Sequence, residues 1–225
     1  MSYLERFIRG CFVQPKYSPQ SFLTFISCYA GGGVFMFLSN IFNKDPYYFQ
    51  GRTLFCILCL ILILMNAFAL FIKFWVESDW PLWIGYISGI ASLYMPIYFT
   101  SLFESTFEDF IVGSVIVSVS AILQFIYLLI YHKIFKIDPL LRGKPHSFIG
   151  LGFMFFCLFL TGIMFVMLEI TKNNIYFVYA VTFICSTFSA TAFMSFTRVM
   201  DFWQKPVETG QRYGDSMKKL ARKKK

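Results

Sequence analysis

Long apolar runs alternate with short polar connections along the whole chain. Six runs reach the length of about 20 residues that a helix needs to cross about 30 Å of hydrocarbon. We place the six spans at residues 20–40, 53–73, 81–100, 110–131, 147–168 and 175–196. The pattern therefore predicts an all-α fold, a polytopic membrane helix bundle with six transmembrane helices, and it leaves no stretch for a soluble domain between them.

The segment before the first span has the pattern of an amphipathic helix. Its charged residues Glu5, Arg6 and Arg9 lie opposite an apolar helical face, which comprises Tyr3, Leu4, Phe7, Ile8, Cys11 and Phe12. We expect this helix to lie in the membrane interface on the cytosolic side. The predicted organisation is an interfacial amphipathic helix at 1–19, a six-span bundle at 20–196 and a basic cytosolic tail at 197–225.

Composition and charge support a membrane protein and set its orientation. Apolar residues make up 57% and charged residues 14% of the chain, whereas soluble domains have about 45–50% and about 25%. Only three of the 20 Lys and Arg residues fall in the loops of one side, namely Lys44, Arg52 and Lys172. Because basic residues concentrate on the cytosolic side of membrane proteins, we expect both termini to be cytosolic.

The last ten residues, "SMKKLARKKK", form a basic tail whose cations are Lys218, Lys219, Arg222, Lys223, Lys224 and Lys225. One interpretation is contact with anionic headgroups, which attract each nearby cation by about 1 kcal/mol. The other is an address read by a receptor, since Arg222 and Lys223 lie close to the dilysine retrieval pattern of early-secretory membrane proteins. Nucleic-acid binding is not indicated, because no aromatic residue interleaves with the basic run.

No ionisable residue lies near the middle of any predicted span, which argues against a proton-coupled transporter, a voltage sensor or an intramembrane hydrolase. The sixth span has two adjoining rows of hydroxyl residues, and the fourth span has a comparable face of small and polar residues. A polar path or lipid groove between these spans would involve Gln124, Thr182, Ser186, Thr187 and Thr191. The alternative that we favour is close packing, because small residues let helices approach and hydroxyls can bond to carbonyls of their own helix.

The loop "YHKIFKIDPLLRGKPHS" contains both histidines of the chain. Its candidates for contact with a lipid headgroup are His132, Lys133, Lys136, Arg142, Lys144 and His146. A lipid-modifying enzyme would use such cations to hold phosphate and a His as acid or base. No nucleophile and base have a recognisable spacing, so we assign no catalytic residue. Cys56 and Cys59 form a CxxC without a second pair or a nearby His, and we predict no metal site and no cofactor.

Three short stretches carry a family resemblance: "EDF" opens the fourth span, "IYFVYAV" opens the sixth and "AFMSFTRVMDFW" closes it. From Glu108 onward the layout resembles the family that contains the Golgi factor remodelling GPI-anchor lipids and the DRAM autophagy modulators. The resemblance covers about half of the chain. It supplies no catalytic motif that can be transferred residue by residue.

These patterns favour a non-catalytic multi-pass membrane protein of the endoplasmic reticulum or Golgi. We expect it to act as an accessory, assembly or trafficking factor for a membrane protein or a lipid pathway, with a membrane-protein partner in addition to the lipid bilayer. Three alternatives stay open: a transporter or channel for a small solute or lipid, a lipid-modifying enzyme, and an accessory subunit of a mitochondrial inner-membrane complex. The oligomeric state is not specified by the sequence.

Overall fold

A computed structural model describes residues 3–42, 46–76, 79–104, 106–134 and 144–204. In these ranges the chain is helical and has no strand. The helices are α1 Tyr3–Cys11, α2 Pro19–Phe42, α3 Pro46–Val76, α4 Leu82–Glu104, α5 Phe107–Ile134, α6 Lys144–Thr171 and α7 Ile175–Phe193. A 3₁₀ helix at Met194–Arg198 and a short helix α8 at Asp201–Gln204 follow α7.

Six of these helices, α2 to α7, are long and apolar enough to cross a membrane. The predicted all-α bundle with six spans is therefore confirmed, and the chain is a multi-pass membrane protein. Helices α2 to α6 are longer than the predicted spans; α5, for example, covers Phe107–Ile134, whereas the sequence predicts 110–131. The difference arises because hydropathy marks only the hydrocarbon-crossing part of a helix, and the backbone hydrogen bonding continues beyond it. Helix α7 ends at Phe193, before the predicted residue 196, and the chain continues there as the 3₁₀ helix.

Helix α7 lies at the centre of the bundle. It packs against α4, α5 and α6, whereas α2 packs mainly against α3. In the most apolar stretch of α7, 44% of the residues are buried, compared with 17% in α2 and 11% in α6. Of the six long helices, the one with the most serine and threonine residues is the most enclosed, and α2 and α6 lie at the outside.

A glycine allows α5 to approach α4 and α7 closely. A Cβ atom on Gly113 would lie 2.7 Å from Oγ1 of Thr182 and 2.9 Å from Cγ2 of Ile97. Any larger residue would force these helices apart. Because lipid is as apolar as a leucine side chain, such close van der Waals contact is a main source of helix association in membranes.

Hydrogen bonds from Asn66 and Tyr29 to Ser88 link α2, α3 and α4. The Nδ2 atom of Asn66 in α3 donates hydrogen bonds of 2.7 Å to the Leu62 carbonyl and to Oγ of Ser88 in α4. The Tyr29 hydroxyl in α2 donates to the Ser88 carbonyl at 2.6 Å. Interhelical hydrogen bonds of this kind contribute about 0.6 kcal/mol on average, so the link adds modestly to the packing of α2, α3 and α4.

We predict that Gly113→Leu destabilises the protein, because its side chain would overlap Thr182 and Ile97. Overpacking typically costs about 1–3 kcal/mol. The measurement is the thermal unfolding midpoint of the purified protein in a mild detergent. The matched control is Gly162→Leu in α6, where a Cβ atom would have no neighbour within 4 Å. Equal midpoints for the two variants would contradict the close approach at Gly113.

Candidate functional site

The residues before the first span pack onto the bundle itself. We call residues 3–18, which comprise α1 and the irregular segment after it, the N-terminal cap. Three of its four aromatic residues, Phe7, Phe12 and Tyr17, are buried. The centroid of the Phe7 ring lies 5.4 Å from the ring centroid of Phe125 and 5.6 Å from that of His132, both on α5. The cap therefore covers the end of α5 with aromatic contacts.

The 3₁₀ helix after α7 is the main binding site of the cap. Oγ1 of Thr197 donates to the Phe12 carbonyl at 3.1 Å, and Nε of Arg198 donates to the Pro15 carbonyl at 2.8 Å. The Arg198 guanidinium also lies over the Tyr17 ring, 4.0 Å from its centroid. The stretch "AFMSFTRVMDFW" thus supplies the donors and the cation that hold the cap.

Contacts of Tyr17 and Lys16 extend the cap to the α3–α4 connection. Nζ of Lys73 donates to the Tyr17 carbonyl at 3.2 Å, and Lys16 forms an ion pair with Asp79 at 2.7 Å. A Cβ atom on Gly85 would lie 2.9 Å from the Tyr17 ring. The cap therefore lies at one end of the bundle with the ends of α3, α5 and the 3₁₀ helix. We call this the basic end, and it is the end that the sequence predicts to face the cytosol.

The apolar face of α1 has surroundings that the sequence does not predict. The helix α1 forms as expected, with the ion pair of Arg9 and Glu5 at 3.3 Å on its charged side. Its apolar face, however, contacts α5, α7 and Trp203 rather than being free to lie in lipid. An amphipathic pattern shows that one face is buried and does not show whether lipid or protein covers it. Only Tyr3 and Leu4, at its start, are exposed apolar residues of α1.

A cysteine of the cap contacts a histidine of α5. Sγ of Cys11 lies 3.4 Å from Nε2 of His132, and His132 is 2% exposed. Burial raises the pKa of the Cys11 thiol to about 12. The thiol is therefore protonated at neutral pH, and the pair lacks the thiolate that a cysteine nucleophile requires. The contact serves to hold the cap on α5.

The structure separates the residues that the sequence groups as headgroup contacts. His132 is buried beneath the cap, whereas Lys133 is exposed near the end of α5. Lys144 and His146 lie in the first turns of α6. Lys136 and Arg142 lie outside the described residues, as does the basic tail, that is Lys218, Lys219, Arg222, Lys223, Lys224 and Lys225.

The hydroxyls of α7 bond to their own helix. Oγ1 of Thr182 donates to the Val178 carbonyl and Oγ of Ser186 to the Thr182 carbonyl, both at 2.9 Å. Thr187 donates in the same way to Phe183 at 3.1 Å, whereas Thr191 is exposed. These bonds satisfy the hydroxyl protons locally, and this arrangement favours packing over a polar path.

Gln124 and a nearby groove complete the contact of α5 with α7. Oε1 of Gln124 accepts a hydrogen bond of 3.2 Å from the backbone N–H of Ala190. Beside this bond, the surface between α4, α5 and α7 contains a cavity of about 440 Å³, which we call the α5/α7 groove. Its walls include Ser118, Ala121, Ile122, Phe125, Ala190 and Phe193. The groove is almost entirely apolar.

Cysteine residues of the predicted CxxC take part in helix packing. Cys59 is buried and touches Gly33, whose Cβ position would lie 3.2 Å from Cβ of Cys59. Sγ of Cys56 approaches the Gly33 carbonyl at 3.6 Å. In the part of the chain that the structure describes, no cluster of three or more His, Cys, Asp or Glu residues could hold a metal ion.

Three residues that hold the cap were not identified from the sequence as functional: Tyr17, Thr197 and Arg198. Tyr17 lies about 180 residues from Thr197 and Arg198 in the chain, and no local pattern links it to them. Comparison with protein-family models, with curated proteins and with solved structures finds no match to this chain. The resemblance in the second half of the chain stays a prediction.

We predict that Cys11 reacts more than tenfold more slowly with a maleimide at neutral pH than an unperturbed cysteine does. A raised pKa lowers the thiolate fraction, and the stronger nucleophilicity of a more basic thiolate offsets only part of this loss. The measurement is mass-spectrometric labelling in a variant that keeps Cys11 alone.

The matched variant for this experiment is Phe7→Ala in the same background. Removing the Phe7 ring takes away the contacts with Phe125 and His132, so the cap should open more often and Cys11 should label faster. Fast labelling of Cys11 with Phe7 intact would contradict the buried position of the thiol.

Proposed function

We propose that the protein is a non-catalytic accessory factor of early secretory membranes that assembles with another membrane protein. The observation that carries this proposal is the outer surface of α6. Phe155, Phe159, Gly162, Val166 and Ile170 lie along one side of this helix, and we call them the α6 outer row. All five are exposed in the single chain, with Phe155 and Phe159 each 66% exposed.

The glycine at the middle of this row allows no close contact with the residues that the structure describes, which is also true of Gly31 on α2. A Cβ atom on Gly162 would have no neighbour within 4 Å, and glycine in a helix interior costs about 0.5–1 kcal/mol relative to alanine. Gly113, in contrast, allows close contact with α4 and α7. A glycine flanked by large apolar residues fits a partner helix that approaches α6 closely at Gly162.

The interior of the bundle supports a structural role. The hydroxyls of Thr182, Ser186 and Thr187 bond to carbonyls of α7, and Gly113 brings α5 against it. The core of the bundle is thus occupied by helix packing, and its outer surface is the part that is free for other molecules. Placement in the endoplasmic reticulum or Golgi draws its support from the retrieval-like basic tail, which lies on the cytosolic side in the positive-inside orientation.

We predict that Gly162→Leu abolishes copurification of a stoichiometric membrane-protein partner without lowering the thermal unfolding midpoint of the chain. The leucine would fill the space that the partner helix needs. The experiment is extraction from native membranes in a mild detergent, followed by quantitative mass spectrometry of the copurifying proteins.

The matched control is Ala67→Leu on α3, another exposed small residue on an outer face. It should keep the partner. A partner retained equally by both variants would contradict the role of the α6 outer row. A homogeneous preparation of the unaltered chain that contains only lipid would contradict the accessory function itself.

A further inference from the structure

We infer that the α5/α7 groove holds one acyl chain of an anionic phospholipid, whose headgroup binds Lys133 at the basic end of the bundle. This site is separate from the α6 outer row, and the inference does not depend on the proposed partner.

The shape of the groove fits a hydrocarbon chain. Its volume is about 440 Å³, and Ala121 and Ala190 leave the space where α5 and α7 diverge. Ile122, at 60% exposure, places the opening of the groove on the outer surface of the bundle. A lipid chain can therefore enter sideways from the surrounding bilayer.

The walls of the groove offer no strong polar contact. The two hydroxyls among its lining residues bind each other, with Tyr94 donating to Oγ of Ser118 at 2.8 Å. Ser118 in turn donates its own proton to the Ser114 carbonyl at 2.8 Å. Since both protons are used, the part of a ligand that lies in the groove must be apolar, and its polar end must lie elsewhere.

Lys133 lies where that polar end would be. It follows Ile122 by eleven residues on the continuous helix α5, which places it about three turns away on the same side of the helix. At 1.5 Å per residue, the axial distance to Lys133 is about 12 Å from Phe125 and about 22 Å from Ser118. A phospholipid spans one leaflet of about 15 Å of hydrocarbon, so a phosphate at Lys133 lets its chain reach the part of the groove near Phe125 and Ile122.

The cap closes the groove on the side of α7. Phe125 and Ala190 line the groove and also contact the cap, where Phe7 and Phe12 pack over them. An acyl chain in the groove therefore has a protein boundary above it and must rise along α5 toward Lys133. The positive charge of Lys133 selects a lipid with an anionic headgroup over a zwitterionic one.

Photo-cross-linking in nanodiscs tests this site. The full chain is reconstituted in phosphatidylcholine discs that contain a small fraction of phosphatidylserine with a diazirine on one acyl chain. We expect labelling concentrated at Ser118–Phe125 and near Ala190. It should be about fivefold stronger than with the matching phosphatidylcholine probe, the factor that one surface lysine contributes. Labelling spread evenly over the outward faces of α2, α3 and α6 would overturn the site.

Two pairs of variants separate the acyl and headgroup contacts. Ile122→Trp should fill the groove and remove its labelling, whereas Val119→Trp, at an exposed position of α5 outside the groove, should keep it. Lys133→Gln should bring the two probes to equal labelling, and Lys133→Arg should preserve the preference for phosphatidylserine. Equal labelling of both tryptophan variants, or a preference unchanged by Lys133→Gln, would overturn the inference.

Discussion

Every other feature of this bundle depends on the enclosure of α7 by α4, α5 and α6. A helix rich in hydroxyls can occupy the centre because Thr182, Ser186 and Thr187 donate to carbonyls of their own helix. These three hydroxyls then need no partner across the interface, and close contact at Gly113 supplies the association that lipid does not drive. The position of α7 fixes the 3₁₀ helix that follows it, and with it the binding site of the cap.

The cap joins the segment before the first span to the segment after the last span. Thr197 and Arg198 donate to carbonyls of Phe12 and Pro15, so the segment before the first span and the segment after the last span hold each other. Phe7 and Phe12 of the cap also cover Phe125 and Ala190 at the end of the α5/α7 groove. The burial of Cys11 and the exposure of Lys133 follow from where the cap ends on α5.

The sequence predicts the six spans because lipid imposes a length and an apolarity that can be counted along the chain. It also favours the local bonding of the α7 hydroxyls, since a Thr or Ser in a helix lies next to the carbonyl one turn earlier. It could not predict that α1 packs on protein, because lipid and protein bury the same apolar face. The pairing of Tyr17 with Arg198 joins residues that are far apart in the chain and therefore leaves no local signal in the sequence. The α5/α7 groove is an apolar gap between helices, so no polar residues mark it in the sequence.

The most direct test of this account is a thiol cross-link between the cap and α5. In a chain whose only other cysteine is Cys11, prolonged treatment with a short bis-methanethiosulfonate reagent should join Cys11 to the thiol introduced by His132→Cys, because Sγ of Cys11 lies 3.4 Å from Nε2 of the native His132 ring and the reagent spans the gap that the shorter side chain leaves. A protease site inserted within residues 135–143 would then leave two fragments joined until they are reduced. Lys133→Cys, exposed on the next position of α5, should not form this link. Separate fragments with His132→Cys, or equal linking by both variants, would contradict the docked cap.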